Sequence, residues 1–443
     1  MAFPLARELA EARWYPRAGI DRASLAAVLE RAAAVFVTGA AERKSSRGKW
    51  LHAFALEARE PDHLLKTNDY RGVPWFRRLR RSKSRAELAL ACAVAGRGVP
   101  TPLPLAAGEL RRGGMLQRCF LVVPLVAGAV DLEQRHAERG GPPRERRAWT
   151  HELGALARRM HDAGVFQEDF APNNFLWRAA PPPTLMAIDF ERARLRGPLS
   201  HAARRFLLAK LDRRLADASG AARMRFLLAY SMGDRAAARR WWRELEAQAP
   251  RLARRDYGRL RRITTRPSRR FAPLERGDWR GWTRRDADPA VLAAICEVAR
   301  EKCANGAIGY LVHPLGVLSR RRAARAWALA QLLWQRSGAS PKPLALLRSR
   351  AAAAIAFERP PGCQPLDTVA DRRPLEARLA IALDRLMVLG ARAELLSADR
   401  LAVAPSGRGV WLLDPLVLAP ERPPPPDVHR LARVAAARLA RAR

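Results

Sequence analysis

Cysteine is sparse in this 443-residue chain. The five that occur, Cys92, Cys119, Cys296, Cys303 and Cys363, are odd in number, widely spaced and without a CxxC pair. That pattern encodes neither a disulfide framework nor a zinc site, and it points to a reducing compartment. Long apolar runs are missing too: none approaches the ~18 residues needed to span a bilayer, and Arg7, Glu8, Glu11 and Arg13 break any signal-peptide core near Met1. A cytoplasmic protein is expected, soluble or peripheral on the inner face of the cytoplasmic membrane. Acidic residues are few, 43 against 81 Lys plus Arg, for a formal charge of +38. Such an excess repels itself unless it meets an acidic partner, so nucleic acid, anionic lipid and phosphorylated glycans are the candidates. The abundance of Ala, Arg and Leu throughout offers a compositional bias as the other source. Lysine is scarce, which gives weight to any lysine found where chemistry wants one. No glycine-rich phosphate loop is evident, since Arg47-Gly48-Lys49 supplies a single Gly. No Ser-His-Asp arrangement shows, and His151, His161 and His201 lack metal-ligand spacing, which makes them core or surface histidines.

What is there suffices for real cores: 49% of the residues are apolar, in a length suited to two or three domains of roughly 100–200 residues each. Ile20 to Ala41 reads as an amphipathic helix carrying Leu25, Val28, Leu29, Ala32 and Val35. From Gly48 the pattern alternates through Trp50, His52, Phe54 and Leu56. After a charged turn around Glu60 to Asp62 it resumes at Leu64-Leu65-Lys66, which predicts two paired strands. Ser84 to Ala95 is helical, ended by Gly96, Gly98 and the extended Pro100-Thr101-Pro102. A strand pair flanks Arg111 to Gly114, its second member, Cys119 to Val126, apolar enough to be buried. Helix dominates thereafter, with Arg147 to Ala163, Phe206 to Leu211 and Phe226 to Tyr230, interrupted by the strand Leu185 to Phe190. This order is α+β. The Arg-dense stretch from Arg251 to Arg285 reads as a connector or docking surface, and a second unit starts near Asp286.

The sequence also suggests an internal repeat. Met160-His161-Asp162-Ala163-Gly164-Val165 precedes Asp169, Asn174 and a strand ending at Asp189. Leu386-Met387-Val388-Leu389-Gly390 precedes a similar stretch and the strand Trp411-Leu412-Leu413-Asp414. Upstream, Gly98 to Leu103 resembles Gly338 to Leu344, so both signatures recur in the same order. Coincidence within an Ala/Leu/Arg-rich composition is the competing explanation.

The sharpest local signal is Gln167-Glu168-Asp169-Phe170-Ala171-Pro172-Asn173-Asn174, followed some fifteen residues on by Ile188-Asp189-Phe190-Glu191. Phosphoryl transfer from ATP needs one carboxylate to orient the attacking hydroxyl, with a second carboxylate and an amide oxygen to hold Mg²⁺ against the triphosphate. The spacing Asp, four residues, Asn, then a strand ending in Asp-Phe is that of kinase catalytic and metal loops. Singly, these residues would be turns, caps or solvated faces; their succession is what argues for chemistry. On Leu65-Lys66, Ser84-Arg85-Ala86-Glu87, Gly98 to Pro102, His161 to Val165, Asp169 to Asn174 and Ile188 to Ala193, the chain resembles the lipopolysaccharide kinase (Kdo/WaaP) family, within the wider protein-kinase-like fold. The resemblance spans roughly residues 41 to 240. It implies that Lys66 holds the α and β phosphates of ATP and pairs with Glu87, that Asp169 is the catalytic base, and that Asn174 and Asp189 bind Mg²⁺. It also implies phosphorylation of a sugar hydroxyl, Kdo or heptose, in the lipopolysaccharide inner core. The chain departs from the kinase pattern at Gln167 and Glu168, where His and Arg are common, and at Glu191, where Gly is common.

At the repeated positions the second half differs. Aligning Gly390 with Gly164 sets Leu395 opposite Asp169 and Arg400 opposite Asn174, with Asp414 one residue out of step with Asp189, and His313 where Lys would be. The domains expected are a helical leader (1–40), a kinase-like N-lobe (41–130), a helical C-lobe with basic connector (131–285) and a degenerate, pseudokinase-like unit (286–443). Trp241-Trp242 among Arg239, Arg240 and Arg243 suits either an aromatic, basic patch or a helix burying one ring and edging the other. After Pro423 to Pro426, the segment Val428 to Arg443 is a basic helix that either lies on an anionic membrane surface or caps the second unit. The partners expected are an anionic glycolipid or sugar acceptor and a peripheral membrane contact, with no specific nucleic acid. A catalytically inactive pseudokinase scaffold and a small-molecule or protein kinase are the alternative readings.

Overall fold

The computed structural model describes residues 2–38, 42–46, 49–54, 62–137, 142–179, 183–215, 218–268, 270–300, 310–316, 318–337, 340–350, 352–358, 363–403, 410–418 and 428–441. The chain mixes helix and sheet and divides into two compact units, Met1–Leu211 with Gly220–Trp242, and Asp212–Ser219 with Arg243–Arg443. The expected charged turn at Glu60, the Arg47-Gly48 step and the Pro423 to Pro426 spacer lie outside the described residues.

In the first unit the strands are β1 (Arg13–Pro16), β2 (Glu42–Ser46), β3 (Lys49–Phe54), β4 (His63–Asp69), β5 (Ala106–Arg112), β6 (Met115–Pro124), β7 (Ala129–Asp131), β8 (Val165–Gln167), β9 (Phe175–Arg178), β10 (Thr184–Ala187) and β11 (Ala193–Leu195). Its helices are α1 (Ala2–Glu11), α2 (Arg22–Thr38), α3 (Trp75–Arg78), α4 (Lys83–Ala95), α5 (Leu132–Ala137), α6 (Pro143–Asp162), α7 (His201–Arg214) and α8 (Gly220–Tyr230), with α9 (Arg235–Ile263) running on into the second unit. The large sheet is antiparallel in the order β1-β5-β6-β4-β3-β2. Alternation decides what each face holds. Phe54, Leu65, Phe120 and Val122 point to one side and pack with Leu9, Val28 and Ala32, so α1 and α2 cover that face. Leu121 and Ala107 point to the other and pack on Leu88 of α4. The first 38 residues are therefore built into the sheet, with β1 as its edge strand beside β5.

The helical part rests on α6, whose Trp149, Leu153, Leu156, Ala157 and Met160 recur at helical spacing and are buried. Gly164 then turns the chain with φ of +75° into β8. His161 is a core histidine, as the absence of ligand spacing argues: fully buried, it meets the Tyr230 hydroxyl at 2.9 Å through Nδ1. Burial holds its pKa down, to about 3. The native state thus refuses a proton that the unfolded chain accepts near pH 6.5, and the stability this confers is present above pH 6.5 and lost as pH falls towards 3. Urea unfolding at pH 7 and pH 5 is expected to show a loss in the parent protein about 2 kcal/mol larger than in His161→Gln. Trp241 and Trp242 are packing residues: Trp241 stacks on His201 at 4.4 Å and meets Tyr230 edge-on, while Arg223 lies over Trp242.

In the second unit the strands are β12 (Phe271–Arg276), β13 (Trp279–Arg284), β14 (Tyr310–Gly316), β15 (Pro343–Arg348), β16 (Ala353–Glu358), β17 (Gln364–Pro365), β18 (Leu401–Val403) and β19 (Val410–Leu412). The helices are α10 (Pro289–Arg300), α11 (Arg320–Ser337), α12 (Glu376–Val388) and α13 (Val428–Arg441). The Arg-dense stretch, read from sequence as a connector or docking surface, holds the end of α9 and the β12–β13 hairpin, anchored by buried Phe271 and Trp279. α13 sets Ala432, Ala435, Ala436 and Leu439 into a core shared with Leu379, Leu383 and Leu386 of α12, so it caps this unit.

The expected repeat divides in two. Around the small sheets it holds closely. The orders β7-β9-β10 and β17-β18-β19 correspond, and the turn glycines Gly164 and Gly390 both have positive φ. The 3-10 turns Pro172–Asn174 and Ala398–Arg400 occupy the same place, although the second unit has a further one, Ala393–Leu395, where the first has none among the described residues. The Ile188 amide donates to the Asn174 carbonyl at 2.9 Å, and the Leu413 amide to the Arg400 carbonyl at 2.8 Å. In the large sheets the repeat fails. The second runs β12-β13-β15-β16-β14, so its third strand, carrying His313, lies at an edge beside β16, whereas β4 with Lys66 lies inside. The physical difference is the connection: β4 follows β3 as its antiparallel neighbour, while the chain between β13 and β14 includes α10 and crosses to the far edge.

Candidate functional site

The strand alternation that buries Leu65 under α1 and α2 turns Lys66 to the α4 face. There α4 is fixed by Ser82, whose hydroxyl caps it by accepting from the Arg85 amide, and whose own amide donates to Glu109. Glu87, in the second turn, is only 7% exposed. The Lys66 ammonium donates to both Glu87 oxygens, at 2.9 and 3.1 Å, and to Asp189 Oδ1 at 3.0 Å. Burial by itself would depress the ammonium, but Glu87 first and Asp189 second outweigh it and hold its pKa above the ordinary value. Removing the cation strands a buried carboxylate. Lys66→Ala is expected to cost about 3 kcal/mol in denaturant unfolding, and most of that loss should return in Lys66→Ala/Glu87→Gln, where no charge is left behind.

Asp189 follows β10 with φ of +60° and ψ of +70°, and it opens the 3-10 turn Phe190–Arg192. That left-handed backbone is uncommon for a non-glycine residue and costs energy. Here it is held by Gln167, whose Nε2 donates to the Ile188 and Asp189 carbonyls at 2.8 and 3.1 Å. Gln167, which departs from the kinase pattern, thus ties the end of β8 to the turn at Asp189. Glu191, a further departure, pairs with Lys83 at 2.6 Å and lies 3.9 Å from Lys66. In the sequence Glu191 shows only as an acid where glycine is common. The signal available was the acid's position two residues past Asp189, which the short turn folds back towards the same lysine.

Asp169 lies exposed on the loop after β8. Asn174, 3% exposed, donates through Nδ2 to the Asp169 carbonyl at 2.6 Å, and its own carbonyl accepts from Ile188, the neighbour of Asp189. Lys66, Glu87 and Asp189 are therefore in direct contact, and Asn174 links the Asp169 loop to the Asp189 loop. Arg97, just past α4, donates to the Ala163 and Arg196 carbonyls at 2.6 and 2.7 Å, clamping the α4 end to the turn that precedes β8.

Among the described residues no group of three or more His, Cys, Asp or Glu is placed to hold a metal. The donor set of Asn174 and Asp189 nonetheless suits Mg²⁺, a hard cation that takes oxygen ligands and keeps several waters. The Asn174 Nδ2 is spent on Asp169, which leaves its Oδ1 as the acceptor, and the Asp189 side chain is 48% exposed. In the second unit the corresponding residues are closed to a cation. Arg400 donates to the Leu395 carbonyl at 3.0 Å, as Asn174 does to Asp169, and its guanidinium lies 3.5 Å from Asp414. Asp414 also accepts from the Leu416 amide. A guanidinium has no acceptor for a metal and itself supplies the positive charge there.

Among the described residues no helix is long and apolar enough to cross a membrane. No curated protein matches this chain. One similar solved structure is WaaP in complex with acyl carrier protein, 24% identical, with the match covering 54% of this chain and 99% of that one at a TM-score of 0.38. The family model begins four residues after Lys66 and takes in Glu87, Asp169, Asn174 and Asp189: residues 70–230 of this chain match the lipopolysaccharide kinase (Kdo/WaaP) family.

Proposed function

We propose that the first unit is a two-lobed, kinase-like phosphotransferase that moves the γ-phosphoryl group of ATP to a sugar hydroxyl of the lipopolysaccharide inner core, Kdo or heptose. The reaction would take place at the cytoplasmic face of the inner membrane. The observation that carries this reading is the Lys66 ammonium held between Glu87 and Asp189, with Asn174 tying the Asp169 loop to the same place. In this reading Lys66 neutralises the α and β phosphates and Glu87 keeps its ammonium in position. Asp169 orients the acceptor hydroxyl and takes its proton. Asn174 and Asp189 would hold Mg²⁺, which supplies charge neutralisation on the triphosphate. Most of the acceleration comes from placing the two reactants together. The excess of cations suits a phosphorylated, membrane-borne acceptor. The second unit, with Leu395, Arg400 and Asp414 at the corresponding positions, is a degenerate, non-catalytic partner of the first.

Incubation of the purified chain with ATP, Mg²⁺ and delipidated core oligosaccharide tests the assignment. A gain of one phosphate on the oligosaccharide by mass spectrometry is expected. Stabilisation by Mg²⁺-nucleotide without turnover on any acceptor would make the protein a scaffold, and transfer to other small molecules or proteins alone would move the acceptor class.

A further inference from the structure

The second unit places arginines where elementary electrostatics disfavours them. Arg280 of β13 and Arg348 of β15 stand directly opposite each other in the antiparallel ladder, and like charges so paired repel. Arg320 and Arg321 open the 18-residue helix α11, the end at which the helix dipole favours anions and not cations. Both pairs line one cavity of about 640 Å³ on the sheet face that α11 covers in part. One carboxylate lines it with them: Glu275, which pairs with Arg280 at 3.0 Å and is itself well exposed. Trp282, two residues along β13 from Arg280 and so on the same face, gives the cavity an aromatic wall.

We propose that this cavity binds a small molecule carrying two closely spaced phosphate groups, whose ring lies on Trp282. Guanidiniums on three separate elements match the several oxygens of a pyrophosphate or a bisphosphate, which a lone phosphate does not. The anion relieves both unfavourable placements at once, and a volume of this size takes a phosphorylated sugar or a nucleoside diphosphate.

Calorimetric titration of the full-length protein at 0.15 M salt with a metal chelator tests the proposal. The probes are inorganic pyrophosphate, ADP and myo-inositol 4,5-bisphosphate, whose ring phosphates are vicinal. Pyrophosphate binding is expected in the parent protein and in Lys66→Ala/Glu87→Gln, and it should weaken at least tenfold in Arg348→Gln and in Arg321→Gln. Without any anion, Arg348→Gln should melt above the parent protein, because the repelling cross-strand pair is gone; a purely structural arginine gives the opposite shift. In Lys66→Ala/Glu87→Gln, where the first unit's lysine is absent, tighter binding of ADP than of the bisphosphate identifies a nucleotide, and the reverse order a ring bisphosphate, each in support. Absence of binding at this salt, equal binding by both arginine variants, or its loss in Lys66→Ala/Glu87→Gln would overturn the assignment. Arg321 lies outside the sheet, so failure of Arg348→Gln to fold still leaves a decisive variant.

Discussion

Asp169→Asn is expected to lower phosphoryl transfer by about 10²–10⁴-fold while leaving the protein folded and nucleotide binding nearly unchanged. The size of the loss follows from the role: a positioned carboxylate that accepts the acceptor's proton acts in the transition state and contributes little to ground-state binding, so kcat falls with kcat/KM. The geometry makes the variant a clean one. Asn174 holds this loop through the Asp169 main-chain carbonyl, not the carboxylate, so an isosteric amide keeps the bond. Lys66 takes its carboxylate contacts from Glu87, Asp189 and Glu191, all of which the substitution leaves in place. Steady-state turnover on core oligosaccharide, paired with the melting shift produced by Mg²⁺-ATP, separates the two effects. Undiminished turnover removes Asp169 from the mechanism; loss of the melting shift makes it a binding residue. Asp189→Asn should behave in the opposite way, because it weakens the charge that would hold Mg²⁺ and that faces Lys66, and its loss of activity should be partly recovered at raised Mg²⁺.

The site was largely legible because its parts obey local rules. Lys66 follows an apolar pair in an alternating strand, Glu87 sits inside a helix begun by a Ser cap, and Asp169 to Asn174 is a short loop with fixed spacing to Asp189. The alignment of Gly390 with Gly164 sets Arg400 opposite Asn174, and the two side chains make like bonds, to the Leu395 and Asp169 carbonyls. What escaped the sequence depends on distant pairing. Nothing in Arg13–Pro16 announces that it joins β5, because a four-residue edge strand has too few residues to show a period. The β12–β13 hairpin was hidden by its arginines, which swamp the anchoring pattern of Phe271 and Trp279. The edge position of β14 is a choice of crossover, which local periodicity does not encode.

Gly164→Ala should destabilise the first unit by about 2–5 kcal/mol. Two costs add. At φ of +75° an L-residue with a Cβ loses roughly 1–2 kcal/mol to the left-handed conformation itself. The added Cβ would also lie within 2.5 Å of the Gly197 carbonyl oxygen, and closer still to that of Arg196. Both are main-chain atoms and cannot swing aside. Arg196 cannot retreat freely, since its amide donates to the Gly164 carbonyl at 2.9 Å and its carbonyl accepts from Arg97. Forcing the strands apart here costs a further 1–3 kcal/mol of overpacking, and the β8–β11 pairing that positions Gln167 loosens with them. Gly113→Ala is the matched control: in the β5–β6 turn its φ is +54°, and an added Cβ meets nothing within 4 Å, so only the torsional cost of about 1 kcal/mol should appear. Denaturant unfolding of both variants, with turnover measured well below the transition, distinguishes strain from collision. Similar losses in the two would mean that the strands yield and that the contact with Arg196 is not what fixes the turn ahead of the Asp169 loop.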